Sequence, residues 1–410
     1  MNIPRILLIL AFFSLTKSFA QQTETGNLFA KIETIISNMP GSSGNDYNIP
    51  DANQLETWGE VMSHLLNEEY ALADSKASSI GYELIEFTDN STSKIYYILA
   101  NTSTNYWGTY VFNPQYLIPL VIQSPHPRFD TNTGLQGIYV FEETDALFYC
   151  VSGTHRCNNS TTTSCSGTTS VCGTSGAYKI SDMAHNTNNV FQNVTDTLFT
   201  HYDSTYFVSL HGFAKRDSDP YVILSNGTRD YPETDYISRF KSKLLLEDNS
   251  LTFQIAHVNT GWTRLIAFTN TQGRLINGSV DPCDTDAVTA AGRFMHMEQE
   301  KSKLRNDESG WRKVANALRN TFTDQVTGIN NERFPKKVSV YPNPGSKLIT
   351  ITNANKMPQN ISVYTLLNKD MTSSIEITLS GTNLVIDVSE LPQGIYILRT
   401  GLGTKKIFIQ

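Results

Sequence analysis

No apolar run long enough to cross a bilayer follows residue 20 of this 410-residue chain. Nor is there an excess of positive charge: 32 Lys and Arg stand against 39 Asp and Glu, a formal net charge of -7. A chain without a basic stripe cannot neutralise a phosphate backbone. That argues against a nucleic-acid partner and gives no electrostatic reason to bind an anionic membrane. Cysteine is scarce, five in all, and none has the paired C-x-x-C spacing of a structural zinc hook. The hydrophobic content of 39% and charged content of 17% suit a soluble globular protein. The length is enough for two domains.

Within the first twenty residues, Arg5, the apolar stretch 6–15 and the small-residue pattern Ser18-Phe19-Ala20 read as a signal peptide, residues 1–20, cleaved near Ala20. The expectation is an exported mature protein without a transmembrane anchor. Export permits disulfides. Cys150, Cys157, Cys165 and Cys172 cluster in a Ser/Thr/Asn/Gly-rich stretch, and bridges stapling that loop are expected. Cys283 is left over, either free or paired with one of the four.

Apolar residues at helical spacing mark 27–39 (Leu28, Phe29, Ile32, Ile35, Ile36) and 53–70 (Leu55, Trp58, Met62, Leu65, Leu66), joined by a Gly/Ser/Asn linker at 40–50. Residues 21–80 are therefore expected to form a helical cover. The aromatic, β-branched stretch 82–112 reads as consecutive antiparallel strands. From about 115 strands and helices alternate: strands near 117–122, 146–151, 205–210, 220–225, 251–258, 263–269 and 293–298, helices at 186–201, 235–247 and 310–322, and a short helix or strand at 134–141. This predicts an α/β domain over 81–322, a mixed, largely parallel sheet flanked by helices. A polar linker follows at 323–335. Short alternating segments over 336–410 predict a small all-β, immunoglobulin-like sandwich.

Three of the predicted strands run into side chains that ligate metals or move protons. His126 lies in Ser-Pro-His-Pro-Arg-Phe-Asp, where two prolines stiffen the backbone around the imidazole. His211 precedes Gly212 after an apolar run, and Glu298 follows Met295-His296-Met297. Strand alternation places His296 and Glu298 on one face and the methionines on the other. Open α/β sheets bind ligands outside the carboxyl ends of their strands, so two imidazoles and a carboxylate converge on one crevice, with Asp130 as a second carboxylate. Two His and one acid leave an open position on Zn²⁺, and a free Glu can act as base on its water. His296 is a candidate outer partner or spare ligand, and Glu300 a fallback for Glu298. In Ser181-Asp182-Met183-Ala184-His185-Asn186, Asp182 or Asn186 can cap the following helix, while His185 or Asn186 can line the pocket rim. Arg156 offers a fork for a substrate carboxylate. His64, His201 and His257 read as structural.

Residues 334–410 resemble the C-terminal sorting domain of the type IX secretion system. The resemblance rests on Tyr341-Pro342-Asn343-Pro344, on Leu391-Pro392-Gln393-Gly394-Ile395-Tyr396 and on the terminal Lys405-Lys406-Ile407-Phe408-Ile409. It implies export across the outer membrane of a Bacteroidetes-type bacterium through that machinery, ending in release or surface attachment. Over roughly 105–320, the order His-x-Asp, Asp/Asn helix start, strand-His-Gly and strand-Glu resembles the zinc carboxypeptidase-like amidohydrolases, in particular the N-formylglutamate amidohydrolase and poly-γ-glutamate hydrolase branches. This implies zinc on His126, Asp130 and His211, Glu298 as general base, and a peptide, γ-glutamyl or N-acyl amino acid substrate. Asp130 departs from the pattern, since the family usually has Glu there. The rival expectation is a surface binding or adhesion protein that keeps the scaffold without turnover.

Overall fold

The computed structural model describes residues 22–323 and, towards the C-terminus, 339–352, 361–365, 369–380, 383–400 and 403–410. The expected signal peptide and nearly all of the expected linker lie outside the described residues. The chain divides into two compact units, residues 1–325 and 326–410.

The first unit is built on ten strands: β1 (Gln22–Gly26), β2 (Tyr82–Asp89), β3 (Ile95–Asn101), β4 (Thr109–Phe112), β5 (Ile118–Ser124), β6 (Ala146–Val151), β7 (Tyr206–Phe213), β8 (Val222–Ser225), β9 (Phe253–Ile255) and β10 (Phe294–Glu300). They form one sheet in the order β1-β2-β3-β4-β6-β5-β7-β10-β8-β9. The central strands β6, β5, β7 and β10 run parallel. β2, β3 and β4 form the expected antiparallel meander and join β6 antiparallel. The sheet is thus mixed with a parallel centre. Every residue of β6, Ala-Leu-Phe-Tyr-Cys-Val, is buried, as befits a parallel strand covered on both faces.

Helices cover both faces: α1 (Leu28–Ser37), α2 (Ala52–Leu66), α3 (Tyr70–Ser79), α4 (Thr133–Thr144), α5 (Val190–His201), α6 (Tyr236–Glu247), α7 (Thr271–Ile276) and α8 (Glu308–Thr323). One core joins α1, α4, α6 and α8 to Ile85, Ile122, Val208 and Met297. The other joins α2, α3, α5 and α7 to Leu84, Val121, Phe207 and Phe294. Alternate residues of the same strands feed the two cores.

Several expectations need correction. Residues 22–79 supply an edge strand as well as helices, with one helix packed on one face of the sheet and two on the other. The stretch 263–269 is not a strand, because Leu265 and Ala267 take positive φ, 58° and 61°, which a strand cannot accommodate. The helix expected from 186 begins at Val190. Asn189 caps it by accepting from the Gln192 amide, and neither Asp182 nor Asn186 does so. Between β10 and α8 lies a single π-helical turn, Lys301–Arg305.

Among its described residues the second unit has seven strands: β11 (Ser339–Tyr341), β12 (Leu348–Thr352), β13 (Ser362–Thr365), β14 (Glu376–Ser380), β15 (Asn383–Asp387), β16 (Gly394–Thr400) and β17 (Gly403–Ile409). They form two antiparallel sheets, β11-β12-β15-β14 and β13-β16-β17. Ile349, Ile351 and Ile386 from the first share one core with Val363, Leu398 and Ile407 from the second.

Candidate metal centre

At the carboxyl end of β5 the chain turns at once, and the Asp130 amide donates to the His126 carbonyl at 2.9 Å. That turn brings the His126 and Asp130 side chains together. On the neighbouring strands, the parallel register sets His211 opposite Glu298 and Ser209 opposite His296. These four side chains share one face, while Met295 and Met297 enter the opposite core as alternation requires. His211 and Glu298 are not strand-terminal as expected; each strand continues two residues further.

Asp130 Oδ2 stands 3.3 Å from His126 Nδ1 and 3.3 Å from His211 Nδ1. Ligands at about 2.0–2.1 Å around a tetrahedral ion lie roughly 3.4 Å apart, so both distances to Asp130 match a shared ion, and ligand atoms of the three residues all lie within 4.8 Å of one another. All three residues are buried. The outer nitrogens are also held: His126 Nε2 meets Asp182 Oδ1 at 2.8 Å and His211 Nε2 meets Ser209 Oγ at 3.0 Å. An imidazole fixed by a carboxylate or hydroxyl on its far nitrogen is the usual second layer of a metal site.

Asp182 is the residue that sequence reasoning missed. It sat in a stretch already marked, but an Asp before a helix reads first as a cap. Its carboxylate also accepts from Arg156 Nε at 2.9 Å and from Arg156 Nη2, and contacts His185 Nδ1 at 3.0 Å. Arg156 is therefore an ion-pair partner of Asp182, with Nη1 3.4 Å from His126 Nδ1. His185 stacks on Tyr178 with ring centroids 3.8 Å apart. The Asn186 amide is engaged within its own loop, accepting from Thr163 Oγ1 and donating to the Ile180 carbonyl.

Arg156, Asp182, His185 and Asn186 all sit on the long loop between β6 and α5. Two disulfides hold it, Cys157–Cys172 and Cys165–Cys283, leaving buried Cys150 as the free thiol. The 40–50 segment braces it further: Asn158 Oδ1 accepts from the Asp46 and Tyr47 amides, and its Nδ2 donates to the Gly41 and Ser43 carbonyls.

The electrostatics suit a cation. Burial opposes the charge on Asp130, yet hydrogen bonds from His126 and His211 hold its carboxyl well below the ordinary range. Burial takes His211 down to about 4, so its ring is neutral and able to ligate. His126 moves up: burial and Arg156 disfavour its proton, but Asp182 and Asp130 retain it. Burial, and then the nearby Asp130 charge, push Glu298 up to about 8. Glu298 Oε2 and His296 Nδ1 are buried without a hydrogen-bond partner, a cost that a bound ion with its water would relieve. The donor set, two imidazole nitrogens and a carboxylate, fits a borderline ion such as zinc.

Comparisons with known proteins bear first on the tail. Residues 339–410 match the family described as the secretion system C-terminal sorting domain. The match points to export or surface attachment. No helix among the described residues is long and apolar enough to cross a membrane. No curated protein matches the chain. Among solved structures, similarity extends to a bacteriophage poly-γ-glutamate hydrolase, at 15% identity over 52% of this chain and 88% of that one, with a TM-score of 0.32. It extends also to an N-formylglutamate amidohydrolase from Ralstonia eutropha JMP134, at 11% identity over 55% of this chain and 98% of that one, with a TM-score of 0.33.

Proposed function

We propose that this chain is an exported zinc-dependent hydrolase that cleaves an amide bond in a peptide, γ-glutamyl compound or N-acyl amino acid. One observation carries the reading: His126 Nδ1, Asp130 Oδ2 and His211 Nδ1 converge at ligand-edge distances beside Glu298, whose Oε2 is buried and unpartnered.

When bound there, zinc supplies a water of lowered pKa and a Lewis acid for the substrate carbonyl. His126, Asp130 and His211 would hold it, and Asp182 and Ser209 would fix the two rings. Glu298 accepts the proton of the attacking water and returns it to the leaving amine. Its burial favours both steps, because a carboxyl with raised pKa binds and releases a proton near neutrality. Arg156 has Nε and Nη2 committed to Asp182 and Nη1 beside His126 Nδ1, and with zinc on His126 its Nη1 would turn to a substrate oxygen. His185, held by Asp182 and Tyr178, would face the substrate, and Asn186 serves by holding the loop that carries it. The C-terminal unit passes the protein to the type IX machinery, after signal peptide removal, for release or surface attachment. Its four-plus-three strand order supports the immunoglobulin-like reading.

The test is elemental analysis of the secreted protein with a substrate panel of peptides, N-acyl amino acids and polyglutamate. Bound zinc with turnover of an amide supports the proposal. Absence of zinc, with no turnover after zinc is added, would favour the binding or adhesion alternative.

A further inference from the structure

Arg305 is a buried cation whose three hydrogen bonds all go to backbone carbonyls. It sits in the π-helical turn Lys301–Arg305 with 5% of its surface exposed. Nη1 donates to the Thr131 carbonyl at 2.6 Å, Nε to the Gln299 carbonyl at 3.0 Å and Nη2 to the Phe213 carbonyl at 3.3 Å. Those carbonyls belong to three separate segments. Thr131 follows Asp130, Gln299 follows Glu298, and Phe213 lies two residues past His211.

The backbone makes room for this. A Cβ on Gly212 would lie 2.3 Å from Arg305 Cζ and 2.4 Å from Nε, so the guanidinium occupies the space that any other residue at 212 would fill. Gln136 continues the brace, donating to the Leu304 carbonyl at 2.9 Å and to Gln299 Oε1 at 2.8 Å. A buried cation that meets only carbonyls is costly unless its field is used. Here the Asp130 and Glu298 carboxylates both lie within its electrostatic reach.

We propose that Arg305 is a positioning residue for the metal centre, tying the segments that carry Asp130, His211 and Glu298 into one frame and placing a positive charge behind the two carboxylates. The inference rests on the zinc reading above. It goes beyond it by assigning the register of the two segments that carry Asp130 and His211, and of the one that carries Glu298, to a side chain that touches neither metal nor substrate.

The experiment measures zinc affinity by chelator competition on the full-length protein, so it does not depend on knowing the substrate. Arg305→Gln removes both fork and charge, Arg305→Lys keeps the charge alone, and Gly212→Ala displaces the fork while leaving Arg305 in place. The control is Arg293→Gln. Arg293 also bridges segments, to the Thr205 and Tyr202 carbonyls, but at the opposite end of β10. Each variant is compared with wild type for unfolding temperature as well as affinity.

The expected result is zinc binding weakened about 10–100-fold in Arg305→Gln and Gly212→Ala, the range for outer-layer partners of metal ligands. A smaller loss is expected in Arg305→Lys and none in Arg293→Gln, even where Arg293→Gln lowers the unfolding temperature as much. Unchanged zinc affinity in Arg305→Gln would overturn the proposal, as would an equal loss in Arg293→Gln. Wild-type protein that binds zinc but hydrolyses nothing would count against the proposed activity and leave this comparison intact. Wild-type protein that binds no zinc would overturn both.

Discussion

At Glu298 the carboxyl is buried beside the Asp130 carboxylate, and both push its pKa up to about 8. The folded value therefore stands above that of an exposed Glu, about 4.3. Without metal, the stability linked to this group is complete below about pH 4 and is lost as pH rises towards 8. Glu298→Gln cannot titrate and should escape that loss. In chelated protein, urea denaturation at pH 5 and pH 8 should show a larger fall for wild type than for Glu298→Gln; equal falls would contradict the burial argument. In zinc-loaded protein the same substitution should retain metal and reduce kcat by about 10²–10⁴-fold, the range for a general base. Full activity in Glu298→Gln would remove Glu298 from the mechanism. Asp182→Asn should weaken zinc binding about 10–100-fold in chelator competition, because it loosens the grip on His126 Nε2; wild-type affinity would return Asp182 to a structural role.

Among the elements, the loop between β6 and α5 carries the largest share of the site outside the sheet. The Cys157–Cys172 bridge closes a sequence separation of 15 residues. Replacing both cysteines with Ser should destabilise the protein by about 3 kcal/mol, on the chain-entropy account, as read by chemical denaturation. A loss near zero would mean that the braces from 40–50 already order the loop. Elements with strong periodicity were legible in the sequence: the apolar runs of β5, β7 and β10 and the stripes of α2 and α8. Polar β1 was not, because Gln-Thr-Glu-Thr-Gly carries no hydrophobic pattern and pairs only at the sheet edge. The 263–269 segment misled because its apolar residues line a folded loop with left-handed backbone. Asp182 was hidden because its role depends on His126, 56 residues away, a contact that no local signal announces.

Over the whole molecule, the tail and the candidate metal centre differ in how they could be read. The sorting domain is marked by contiguous motifs, so its place at the end of the chain was legible directly. The centre is assembled from β5, β7, β10 and a disulfide-held loop, so its residues could be named while their geometry could not. Cysteine pairing shows the same limit: five thiols were visible, but only folding brings Cys165 to Cys283 and buries Cys150 in β6. Deleting residues 339–410 should stop export, with protein retained in the cell by fractionation and immunoblotting. Normal release of the truncated chain would show that the tail is dispensable for transport.

Zinc stoichiometry of the secreted full-length protein, measured beside His211→Ala, tests the metal centre most directly. The convergence of His126, Asp130 and His211 predicts roughly one zinc per chain, lost in the variant while its fold, followed by circular dichroism, is retained. Wild-type protein that carries no zinc even after equilibration with the metal, or a His211→Ala variant that keeps it, would contradict the account.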